Sequence, residues 1–167
     1  MELFWIISFP LAFIVHDGEE ILVQHQWMLA HKESIIQKFP RATRIIVHLS
    51  SLSTKAFAIA VLEELILLLL ATAYVFIGGA YATEIWIALF MAFSVHFVVH
   101  IVQGFLIRGY VPGLITSILM LPYAYFGISR ICEDANGSKL MLLSVLGIIA
   151  VMVNLRFAHW VGKKSTR

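Results

Sequence analysis

Ionisable side chains set inside long apolar runs constrain this chain most. Ala56 to Ile77 and Glu84 to Ile107 are almost uniformly apolar, yet the first holds Glu63 and Glu64 and the second holds His96 and His100. Runs of this length match the roughly 20 apolar residues that cross a hydrocarbon core as a helix. A charge at the centre of such a span costs about 2.5 to 3.5 kcal/mol on insertion scales, so each of these residues needs a partner or a task. Composition agrees with a membrane setting: 60% of the 167 residues are hydrophobic and 13% are charged, whereas a soluble domain carries about 25% charged residues. Mean hydropathy is +0.90.

The expected fold is all-α, a polytopic transmembrane bundle of about five spans in a single domain, 1–167. The spans fall at about 3–28, 56–77, 84–107, 111–131 and 139–161, with Pro112 in a first helical turn and Pro122 at a kink. The segment from about 30 to 55, with Lys32, Lys38, Pro40, Arg41 and Arg44, reads as a cytoplasmic connection carrying an interfacial helix. Basic residues in this connection, together with Lys163, Lys164 and Arg167 after the last span, place the N-terminus outside and the C-terminus in the cytoplasm. Arg130 and Lys139 then fall on the outer side, offset by Glu133 and Asp134. Met1 and Glu2 lack the positive start of a secretory signal, so the first helix is expected to be retained. The net charge of +2, without a basic stripe, excludes nucleic acid as a partner, and the lone Cys132 excludes an internal disulfide and multi-thiolate metal sites.

Three helices bring polar groups. His16, Glu19 and Glu20 share one face of the first at i, i+3 and i+4, with Gln24 a turn later and Asp17 about 100° away. His96 and His100 stand one turn apart on the third, and Gln103 continues their face. Glu63 and Glu64 diverge by about 100°, so one is expected to be a ligand and the other a partner, and the sequence leaves open which. At about 1.5 Å rise per residue, Glu63 lies roughly 12 Å, His100 roughly 10 Å and His96 roughly 16 Å from the cytoplasmic ends of their spans. His16 to Glu20 falls at a similar level. Imidazoles and carboxylates gathered in one dry layer call for a divalent cation, and a thiolate-free mixture of this kind suits iron, manganese or zinc, with iron or zinc expected and the carboxylate count favouring two ions. The expected ligands are His16, Glu19, Glu20, Glu63, Glu64, His96 and His100, backed by Gln24, Gln103 and Asn154, with Glu19 and Glu64 as the catalytic carboxylates. His25, His31, His48 and His159 read as interfacial.

The segment His16-Asp17-Gly18-Glu19-Glu20, a carboxylate in the second apolar segment and the His96-x-x-x-His100 pair in the third together resemble the HXXEE-motif family of small prokaryotic integral membrane proteins. The resemblance covers about the first two thirds of the chain. It implies a multi-pass protein of a prokaryotic cytoplasmic membrane and a candidate residue set, without a reaction. The leading functional expectation is a metalloenzyme acting on a lipophilic substrate, by oxidation or desaturation with iron or by metal-assisted hydrolysis with zinc. The alternative is a metal or proton transporter or sensor using the same cluster, to which a homodimer could add the path that the apolar outer halves of spans two and three lack. Paired glutamates also resemble those of glutamate-type prenyl proteases, but the Arg of that motif is missing after Glu64.

Overall fold

The computed structural model describes residues 2–166. Among them, α1 (Leu3–Lys38) is followed by a 3-10 turn (Pro40–Ala42), α2 (Thr43–Ser50), α3 (Thr54–Phe76), α4 (Ala82–Ile107), α5 (Leu114–Asp134) and α6 (Gly137–Lys164). Local chemistry sets several ends. The Ser53 hydroxyl accepts from the Ala56 amide and the Asn136 side chain from the Lys139 amide, which caps the first turns of α3 and α6. Gly78, at φ +68°, turns the chain out of α3. Pro112 precedes α5 instead of occupying its first turn, because Gly113 at φ +77° holds the N-cap position.

Four helices, α3 to α6, are long and apolar enough to cross a membrane. The expected first span is also a long helix, but Asp17, Glu19 and Glu20 at its middle set it apart from those four. Outward faces are apolar: Phe105 is 81% exposed, and Leu119, Phe126 and Met152 are exposed with it. Lipid solvates such a surface, whereas water would drive it to associate.

The bundle is built around α4, which packs on α3, α5 and α6, while α1 lies against α3, α2 and α5. Small residues bring α6 close. A methyl group on Gly147 would overlap the Ala88 carbonyl of α4, and one on Gly162 would overlap the Ala56 carbonyl of α3. The contact between α1 and α4 is of the opposite kind, made through large rings instead of close backbones. Phe9 meets Trp86 and Phe90 edge-on at 5.4 and 5.3 Å between centroids, and Phe13 meets Phe93 at 5.8 Å. That spacing leaves room for imidazoles one turn further along both helices.

The far half of α1 departs from the sequence expectation, since the helix runs on to Lys38 instead of ending near residue 28. Glu20 touches His100, yet the Lys38 ammonium donates to the Leu106 carbonyl, only six residues past His100. From Glu20 to Lys38, α1 rises about 27 Å, whereas His100 to Leu106 spans about 9 Å of α4. The second half of α1 therefore crosses the end of the bundle obliquely, and α2 packs beside it. At the opposite end the two basic residues are paired, Arg130 with Glu2 and Glu133, and Lys139 with Glu84 at 2.9 Å.

Replacing Gly147 or Gly162 by Leu should lower the thermal midpoint in detergent by several degrees, since overpacking costs about 1 to 3 kcal/mol. Met152→Leu on the outer face of α6 should leave it unchanged. Circular dichroism on heating reads both.

Candidate metal centre

The residues of α1 face two neighbours. His16 is fully buried between α4 and α5, its ring 5.1 Å from His96 and 5.2 Å from His100, with Phe93 and Phe97 closing the apolar side. His96 Nε2 and His100 Nε2 lie 2.9 Å apart, and Glu20 Oε1 lies 3.1 Å from His100 Nε2. His16, Glu20, His96 and His100 each present one ligating atom, all within 4.8 Å of one another. A neutral imidazole has one N–H to donate, so His100 Nε2 cannot satisfy His96 and Glu20 fully at once. A cation can. With metal–nitrogen bonds of about 2.0 to 2.1 Å, the edges of a tetrahedral site are about 3.3 Å, close to the two shorter separations seen here.

Hydrogen bonds behind His16 fix its tautomer. Glu19 accepts from the Tyr110 hydroxyl at 2.8 Å, the Thr116 amide at 2.8 Å and the Thr116 hydroxyl at 2.6 Å, and the Ile115 amide is 3.4 Å away. A carboxylate amid so many donors is an acceptor. The Thr116 hydrogen is thus spent on Glu19, and the Thr116 oxygen must accept from His16 Nδ1, 2.9 Å away. The lone pair of His16 then sits on Nε2, which is buried and has no partner among the described residues. This is how a supporting carboxylate prepares a ligating histidine. Glu19 also neutralises the exposed amides at the start of α5. Burial and the Glu19 bond both raise the Tyr110 pKa, so its hydroxyl keeps the proton it donates.

The remaining expected residues separate. Glu63 turns to α6, where it accepts from the Asn154 amide at 3.0 Å, while Glu64 borders a chamber of about 730 Å³ together with Asp17, Glu20, His96 and His100. Gln24, buried, and Gln103, exposed, border the same chamber. Glu19 stands outside the converging four, holding α5. Asp17, 100° around α1 from His16, is nevertheless only 5% exposed, and its Oδ2 has no partner among the described residues; the same holds for Glu64 Oε1. Asp17, Glu20 and Glu64 are electrostatic neighbours. Thr116, Tyr110 and Gly113 carry no charge and gave no signal in the sequence. Gly113 is needed where it stands, because a methyl group there would come within 3.0 Å of Glu20 Oε1 and the His100 ring.

Fold and site together define a helical bundle with membrane-length spans and a buried His/Glu cluster that could hold a metal ion. The chain belongs to the family of proteins of unknown function with the HXXEE motif, whose sequence model matches residues 7–126. No curated protein and no solved structure matches the chain.

Thr116→Val removes the link between Glu19 and His16 and should destabilise the protein by about 1 to 3 kcal/mol, the cost of leaving buried polar groups unpaired. Thr116→Ser should retain most of that stability. Chemical unfolding of the three proteins side by side makes the comparison.

Proposed function

We propose that the protein is a membrane-embedded metalloenzyme whose metal is held by His16, Glu20, His96 and His100 and whose substrate is lipophilic. The observation that carries this reading is the convergence of four ligating atoms within 4.8 Å beside a largely apolar chamber of about 730 Å³. That volume lies in the range of small-molecule sites, roughly 300 to 1,000 Å³. Three imidazoles and a carboxylate suit zinc or iron. The metal supplies Lewis acidity with zinc, giving hydrolysis, or oxygen chemistry with iron, giving hydroxylation or desaturation. The chain's own contribution is a dry site with positioned carboxylates. Glu64 and Asp17, unpartnered beside Glu20, are the groups to carry protons there or to accept a second ion.

An enzyme fits this geometry better than a transporter. On the side of the cluster toward the start of α1, the space between α1 and α4 is filled by Phe9, Phe13, Trp86, Phe90 and Phe93, a stack of rings with no polar step for an ion. The chamber opens the other way, along the crossing half of α1 past Met28 and Ile35.

Chelator-treated protein, purified in detergent without a histidine tag, should take up zinc or ferrous iron stoichiometrically. His96→Ala and His100→Ala should each weaken uptake by at least tenfold while helicity is retained. Uptake should also fall in acid, where the imidazoles protonate and lose the lone pair that a metal needs. Absence of stoichiometric uptake of either metal would remove the reading.

A further inference from the structure

The chamber has a second polar end. Where α2 meets α6, the Lys163 ammonium lies 2.7 Å from the Ser51 hydroxyl and 3.3 Å from His48 Nδ1, and His48 Nε2 lies 3.2 Å from His159 Nδ1. The direction of these bonds follows from Lys163, because an ammonium only donates. His48 Nδ1 must accept, so its hydrogen sits on Nε2 and is given to His159 Nδ1. The hydrogen of His159 therefore sits on Nε2. Partial burial and the nearby Lys163 ammonium lower the His48 pKa, which keeps this imidazole neutral and able to accept.

The chain of donors ends without an acceptor. His159 is only 4% exposed, and its Nε2 has no partner among the described residues. No carboxylate among them pairs with Lys163. A buried N–H left unpaired keeps the full cost of its desolvation, so an acceptor brought to it would gain more than an ordinary surface contact. The space bordering His159 is the same chamber that borders Glu20, Glu64, His96 and His100. Phe57 of α3, whose ring centroid is 6.3 Å from that of His159, stands seven residues before Glu64, so about 10 Å of helix separates the two polar ends. Between them the α3 wall is apolar, with Phe57, Ala60 and Val61.

We infer that the chamber holds a single-chain amphiphile with an anionic oxygen head, carboxylate or phosphate, seated at His159 Nε2, and its apolar chain extended toward the His/Glu cluster. This names the substrate class of the proposed enzyme and rests on that reading for what happens to the chain. An acceptor at His159 Nε2 completes the donor sequence that Lys163 starts, and the ammonium at its other end favours negative charge on the acceptor. The head stays at the basic end of the bundle while the chain alone enters the apolar wall. Chemistry at the cluster then falls about 10 Å along the chain from the head, away from the polar group.

Displacement of a fluorescent fatty acid from the full-length protein in uncharged detergent tests this, with palmitate, hexadecyl phosphate and hexadecanol as competitors. Chelator-treated protein is used, so that a head bound directly to a metal does not contribute. At least one of the two anions should compete tenfold or more better than hexadecanol. Lys163→Met and His159→Phe should bring that preference close to parity, Lys163→Arg should keep it, and His100→Ala should leave it intact. Lys163 is at the surface end of α6, so its variants report even where His159→Phe fails to fold. Equal competition by hexadecanol, or a preference that survives Lys163→Met, would overturn the inference. If the anion preference holds while metal uptake fails, the metal reading falls alone; if uptake holds and the preference is absent, this inference falls alone.

Discussion

An ionisable group removed from water must be paired, and the hydrogen-bonded line Glu19–Thr116–His16 is where this structure meets that requirement most fully. The line ties α1 to the first turn of α5, orients one imidazole and leaves its free lone pair facing His96 and His100. The adjacent glutamate does the opposite job. Glu20 faces the two imidazoles of α4, so the paired glutamates of the motif divide into one that supports a ligand and one that is offered as a ligand. Spacing explains the division, because successive residues on a helix diverge by about 100°, and Glu19 meets Thr116 of α5 while Glu20 meets His100 of α4.

The packing around the line follows from the space it needs. α6 can approach α3 and α4 through Gly147 and Gly162, but α1 and α4 are separated by phenylalanine and tryptophan rings. Where those rings give way to histidines, the same spacing becomes a polar site. Beyond it the two helices part, since α1 crosses obliquely, and the chamber occupies the opening.

Much of this was legible in the chain. The apolar runs marked α3, α4, α5 and α6 to within a few residues, because a bilayer demands about 20 apolar residues and turn-forming Gly, Pro and Asn separate them. The i, i+4 pair His96 and His100 and the register of His16 with Glu20 followed from helical periodicity. The end of α1 was not legible: Lys32 and Lys38 look the same to periodicity whether they lie in a loop or on a helix crossing the interface. Glu63 and Glu64 could not be told apart because only the position of α6, with Asn154, decides which of them turns away. Asp17 looked turned aside because one face was assumed to be the buried face, whereas α1 is buried on two. His48 and His159 looked like interfacial histidines, and only their bond to each other and to Lys163 shows a directed chain.

X-ray absorption spectroscopy of the metal-loaded protein tests the central claim most directly. The account requires about three imidazole nitrogens at roughly 2.0 to 2.1 Å and a carboxylate oxygen in the coordination shell, with one imidazole lost in His16→Ala. A shell of oxygen ligands alone, or one unchanged by His16→Ala, would contradict it.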